Sequence, residues 1–150
     1  MGEIVVGVDG SPGSVTALRW AIGEARRRGA TLKVVHAWTY PPPAVIGMVP
    51  TPEMVHAVEE DAYRLIDGCV AEAVGSRTEL EAEIRVERLI PRDGAAPALI
   101  RHSKGTDLVV VGSRGRGGFV GLLLGSVSQQ VAQHAECPVV IIPAALGEPR

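Results

Sequence analysis

Lysine is nearly missing from this chain: of its 15 cationic residues only Lys33 and Lys104 are lysine, and the net charge is −2. Neither lysine sits in a G-x-x-x-x-G-K-[S/T] run, so there is no P-loop. The charge balance leaves no basic face for nucleic acid or a membrane surface. Aromatic residues make up 3% of the chain, too few for a platform that stacks single-stranded bases. Cys69 and Cys137 are the only cysteines. They lack metal-ligand spacing, and two thiols make no disulfide scaffold. No apolar run approaches the length of a membrane-spanning helix. The first residues, MGEIVVGVDGS, enter a strand pattern at once, without the charged and apolar regions of a signal peptide. Gly2 does not open a myristoylation motif, because position 6 is Val. These absences predict a cytoplasmic protein that engages neither nucleic acid nor membrane.

What is present is an ordinary globular balance. The 150 residues are 46% hydrophobic and 21% charged, which predicts one domain over residues 1–150 with a sizeable core. Apolar runs alternate with helical periods. Ile4–Val8 reads as a strand that ends at Asp9-Gly10. Val15, Leu18, Ile22 and Ala25 follow at helical spacing. Ser11 before Pro12, or Ser14, can cap that helix, and Gly29 stops it behind three arginines. Leu32–Trp38 is a second strand and Tyr40–Pro52 a long loop. Thr51 caps a helix with Val55, Val58, Ala62, Leu65, Cys69 and Ala73 on its apolar stripe. Ile84–Ile90, Leu108–Val111 and Val139–Ile142 read as three more strands. Helices opening at Pro97 and Ser126 lie between them. This β-α-β-α-β-α-β-α-β order predicts a parallel sheet covered on both faces.

Val109–Ser128 is the most informative stretch. A strand runs into a loop with Gly112, Gly115, Gly117, Gly118 and Gly121, and Gly125-Ser126 then opens a helix. Such a unit offers backbone N–H groups and the positive end of a helix dipole to a phosphate. Gly112 and Gly115 suit a tight backbone, including positive φ, close to phosphate oxygens. Ser113 and Arg114 supply N–H, hydroxyl and guanidinium donors, and Arg116, Gly117 and Gly118 extend the cradle. Ser126, Val127 and Ser128 form the first helical turn, with N–H groups and two hydroxyls. Asp9 lies just past the first strand and Gly112 just past the fourth. If those strands are neighbours, both reach one crevice at the strand ends. There the Asp9 carboxylate can hold ribose hydroxyls or a Mg²⁺ ion on phosphates, or form an Asx turn. Gly7 and Val8 form the floor. His36, His56, His102 and His134 share no spacing. Only His36 falls near this crevice, and it is not assigned as a base.

The spacing of Gly112, Gly115 and Gly125-Ser126 resembles the ATP-binding signature of the universal stress protein family. VGVDGS at Val6–Ser11, VVHAW at Val34–Trp38, DLVVVGSRGRGG at Asp107–Gly118, LGSVS at Leu124–Ser128 and CPVVIIP at Cys137–Pro143 extend the likeness over nearly the whole chain. The resemblance implies a Rossmann-like five-stranded sheet of order 3-2-1-4-5, a homodimer and, in the branch that keeps the glycine signature, bound ATP. It implies that Asp9 stands in the ATP crevice and that Ala37 contacts adenine through its backbone. In the implied order Val139–Ile142 is an apolar strand at a sheet edge, where pairing with a second copy satisfies its open ladder.

Other nucleotide folds match less well. The first turn, DGSPGS, lacks the third glycine of a dinucleotide fingerprint. It also lacks the Ser-Gly-Gly-x-Asp-Ser loop of adenylating enzymes. Two function classes follow. In one, ATP occupancy regulates conformation or a downstream protein partner in a stress response. In the other, the same crevice hydrolyses ATP slowly or transfers its phosphoryl group. Asp9 and the arginines provide no dedicated base, which favours binding over turnover.

Overall fold

The computed structural model describes residues 2–40, 42–115 and 123–143. Five strands, β1 (Glu3–Gly7), β2 (Thr31–Val35), β3 (Val86–Leu89), β4 (Leu108–Gly112) and β5 (Val139–Ile142), form one sheet of order β3-β2-β1-β4-β5. Every pairing is parallel. The sheet reverses direction of growth between β1 and β4. Helices leaving these two strands pack on opposite faces, so a cleft opens between their C-terminal ends.

Strand alternation builds a core on each face. Ile4, Val6, Leu32, Val34, Leu108 and Val110 point to one side. There they meet Leu18 and Ile22 of α1 (Pro12–Arg28) and Ile66 and Val70 of α3 (Pro52–Val74). Val5, Val35, Val109 and Val111 point to the other, against Leu99 of α5 (Ala95–Ser103) and Val131 of α6 (Ser126–His134). Strands buried on both faces need near-continuous apolar runs, which is why β1 and β4 read as unbroken stretches of Val, Ile and Leu.

Helix ends follow local chemistry. Ser11 is the N-cap of α1 and its side chain accepts from the Ser14 N–H; Pro12 comes next, and Gly29 closes the helix at φ 63°. This decides between the two candidate caps. Thr51 caps α3 in the same way, accepting from the Met54 N–H. The expected helix at Pro97 begins two residues earlier, at Ala95, with Gly94 as its N-cap. Proline needs no amide partner in a first turn, so it marks the turn and not its first residue. Two short helices lack a sequence signal strong enough to read. They are α2 (Pro43–Ile46), inside the long loop, and α4 (Arg77–Glu81), capped by Ser76. The second and third strands are shorter than their apolar runs, ending at Val35 and Leu89. No described helix is long and apolar enough to cross a membrane.

Strand β5 pairs with β4 alone among the described residues. Val139, Val140 and Ile141 stay half-buried, and only Ile142 is buried. Residues 144–150 lie outside the described residues.

Candidate functional site

A cavity of about 360 Å³ opens where β1, β2 and β4 end, a size that suits a small-molecule ligand. Gly7, Val8 and Asp9 approach it from β1, Val35, His36 and Ala37 from β2, and Val111 and Gly112 from β4. Arg114, Gly115 and Gly125 form its loop side, and Ser126, Val127, Ser128 and Gln129 bring the first turn of α6 to it. Ala95 and Leu99 of α5 complete the wall. Residues from Gly7 to Gln129 thus converge because parallel strands all end on one side.

Asp9 is held from three directions. Its Oδ1 accepts from the Ser11 N–H at 2.9 Å, an Asx turn leading into α1. Its own N–H donates to Ser14 Oγ at 3.3 Å, and that hydroxyl donates to the Ser11 carbonyl at 2.9 Å. Its Oδ2 faces the glycine loop, since a Cβ placed on Gly115 would lie 2.5 Å from it. The Asx turn is thus formed through Oδ1, and Asp9 also lines the cavity.

The glycines answer to packing between protein segments. A Cβ on Gly112 would sit 3.1 Å from the Gly13 carbonyl oxygen, and one on Gly13 would sit 3.1 Å from the Arg114 carbonyl oxygen. The start of α1 and the loop after β4 meet backbone to backbone along this seam. Neither Gly112 nor Gly115 has positive φ, in contrast to Gly10 at 83°. The tight backbone expected at those two positions is present without positive φ, and close approach leaves no room for a Cβ there. At Gly7 the neighbour is a side chain. Leu99 Cδ1 lies 2.8 Å from where its Cβ would be, so Leu99 fills the space over the β1 end.

Two serines differ from the expected donor roles. Ser113 is buried and does not line the cavity. Its N–H donates to the Ile142 carbonyl at 2.9 Å, continuing the β4–β5 ladder. Its carbonyl accepts from the Gly125 N–H at 2.6 Å and from Ser128 Oγ at 2.8 Å. Ser128 is also buried, so its hydroxyl ties α6 to the loop and only its backbone N–H remains for the crevice. Gly125 is the N-cap of α6 and has no side chain to cap it, while Ser126 is exposed. The first helical bond is that of the Gln129 N–H to the Gly125 carbonyl. The N–H groups of 126–128 precede that bond, at the positive end of the helix dipole. Arg116, Gly117 and Gly118 lie outside the described residues.

His36 is the crevice residue that spacing missed as a contributor. Where the β1–β2 ladder would continue, its Nδ1 stands 2.9 Å from the Val8 carbonyl oxygen. Its N–H donates to the Leu89 carbonyl at 2.9 Å. Its signal in the sequence was its place near the end of the Leu32–Trp38 run. Leu99 had none, because its α5 spacing marks it simply as core.

Comparison with known proteins agrees with this fold. The model of the universal stress protein family matches residues 1–143. The chain belongs to the universal stress protein family. A universal stress protein of Mycolicibacterium smegmatis is 38% identical over 139 residues, covering 93% of this chain and 45% of the relative. One of Mycobacterium tuberculosis is 39% identical over 139 residues, covering 92% and 44%. This family member thus spans less than half the length of these curated relatives. Among solved structures, a universal stress protein from Lactobacillus plantarum superposes with a TM-score of 0.74 at 21% identity, covering 94% of this chain and 97% of that one. A universal stress protein in complex with cAMP gives 0.68 at 24% identity, covering 95% and 97%. One from Archaeoglobus fulgidus in complex with dAMP gives 0.62 at 21% identity, covering 95% and 98%. These likenesses establish the five-stranded Rossmann-like fold.

Proposed function

We propose that this universal stress protein binds ATP, with Mg²⁺, in the crevice between β1 and β4. Occupancy then controls conformation or contacts with a downstream protein in a cytoplasmic stress response. The observation that carries the reading is the α6 N-terminus, where N–H groups of Ser126, Val127 and Ser128 border the cavity under a side-chain-free cap. That end suits phosphate. Arg114 adds a guanidinium on the same side. The apolar walls of Val35, Ala37 and Leu99 suit a base. The cAMP and dAMP complexes of structural neighbours support adenine as that base.

Asp9 Oδ2 beside the loop suits a hard cation shared with phosphate oxygens. Among the described residues no group of three or more His, Cys, Asp or Glu forms a metal site of its own. Phosphates therefore supply most of the coordination in this reading. ATP would bring its own metal-binding oxygens, and the protein would orient them. Slow hydrolysis remains the alternative activity of the same crevice. The Asx bond on Asp9 Oδ1 argues against that carboxylate as a free general base.

The reading is tested by denaturing the purified protein and identifying released nucleotide by chromatography and mass, followed by calorimetric titration. An adenine nucleotide is expected in the released fraction, or ATP binding by the emptied protein. No released nucleotide and no heat with millimolar ATP would overturn it.

The proposed protein is a single unit that pairs through β5. An edge strand with three half-buried apolar side chains and one occupied ladder side supports a second copy as its partner. Light scattering after size exclusion is expected to give twice the mass of the chain. Ile141→Pro, which removes a ladder donor, is expected to shift the species to monomer or aggregate. A wild-type monomer at micromolar concentration would refute pairing.

A further inference from the structure

We infer that the apolar run after β2 and the first turns of α3 form a docking face for an amphipathic helix of a partner protein, one with cationic residues beside its apolar stripe. This gives a chemistry to the downstream protein of the regulatory reading, while the face itself does not depend on nucleotide. Residues 42–50, PPAVIGMVP, contain no charged, hydroxyl or amide side chain. Such a run belongs in a core, yet α2 within it has no buried residue. Val45 and Val49 are each 74% exposed and Met48 50%. Helix α3 continues the pattern. Its 23 residues extend about 34 Å, whereas strands of five residues extend about 17 Å. The helix outruns the sheet, and its first buried residue is Ala62. The apolar stripe before it, Met54, Val55 and Val58, is only half-buried. Exposed apolar side chains gathered in this way mark an interaction surface.

Charge decides the occupant. Residues 51–64 hold four acids, Glu53, Glu59, Glu60 and Asp61, and Arg64 is their one arginine or lysine. At about 100° per residue, Asp61 and Glu59 border the stripe of Met54, Val58 and Val55 on its two sides. Glu60 and Asp61 pair with Arg64. Among the described residues Glu53 and Glu59 have no ion pair. An apolar face bordered by acids repels an anionic bilayer and attracts a basic amphipathic helix. Two of the three methionines of the chain, Met48 and Met54, stand here. Their unbranched side chains adapt to the apolar pattern of an incoming helix. A second copy paired through β5 leaves the face open, because β2 lies three strands from β5, roughly 14 Å away.

The probe is a labelled synthetic helix of leucine and lysine with its leucines on one face, titrated with the full chain, without nucleotide, by fluorescence anisotropy. Micromolar binding is expected, weakened by added salt. Val45→Ser with Val49→Ser, and separately Glu53→Gln with Glu59→Gln, are each expected to weaken it about tenfold. None of these four side chains is buried, so melting should not change. A peptide of the same composition with its leucines scattered round the helix is expected to bind at least about tenfold more weakly. No binding, equal binding of the scattered peptide, or unchanged affinity in either double variant overturns the proposal. Flotation with vesicles of phosphatidylcholine and phosphatidylglycerol, lost in the serine variant, would assign the face to a membrane and overturn it. A lower mass of the serine variant in light scattering would assign the face to a second copy, which also overturns it. With no nucleotide present, each of these outcomes leaves the ATP reading to its own test.

Discussion

Gly115→Ala is expected to lower ATP affinity about tenfold while leaving the thermal midpoint within a few degrees of wild type. The sequence suggested that a side chain here would crowd the phosphates. The structure identifies a nearer obstacle. The new methyl would lie 2.5 Å from Asp9 Oδ2, so the carboxylate must turn away. Turning it strains the bond of Oδ1 with the Ser11 N–H and withdraws the oxygen that faces the loop. Asp9→Ala removes the same oxygen directly. Its loss of affinity is expected mainly with Mg²⁺ if the carboxylate serves the metal, and equally in EDTA if it serves ribose. The two substitutions act on one group, so their effects should not add. Calorimetric titration of both single variants and the double variant checks this. Full additivity would mean that Gly115 acts on phosphate independently of Asp9, and unchanged affinity in all three would remove both residues from the site.

Gly112→Val should damage fold and site together. Its side chain would enter the seam with Gly13, where a Cβ already lies 3.1 Å from the carbonyl oxygen and 3.2 Å from the carbonyl carbon. Backbone on both sides leaves no flexible end to yield. Overpacking of this kind costs about 1–3 kcal/mol, and the start of α1 must move off the loop. Since α1 carries Ser11 and Ser14, which orient Asp9, nucleotide affinity should fall with stability. Denaturant unfolding and ATP titration measure the two effects. A variant with wild-type unfolding free energy would show that the seam has room.

Much of this protein was readable because its signals are local or periodic. Apolar runs of β-branched residues separated by helical periods determined an alternating α/β chain, and resemblance supplied the strand order. Ser11, Gly29 and Thr51 marked helix ends because caps answer to dihedral preference and one nearby hydrogen bond. Asp9 and the loop beginning at Gly112 were marked by their positions just past strand ends. The fold then brought them to one cavity.

What needed the tertiary structure was the partner of each group. In sequence, Ser113 and Ser126 are similar donors in a glycine-rich stretch. In space, the Ser113 N–H continues the ladder to β5 and its carbonyl anchors α6. Gly7 lines the cavity, and Leu99, 92 positions later, packs where a Cβ on Gly7 would stand. His36 is one of four unspaced histidines until the fold sets its Nδ1 2.9 Å from the Val8 carbonyl oxygen. Sequence by itself determined the elements and the kind of chemistry at the strand ends, because those depend on residues close along the chain. Only the tertiary structure decided which donors and acceptors were already spent within the protein and which faced the cavity, because hydrogen bonds and close packing are made with neighbours in space.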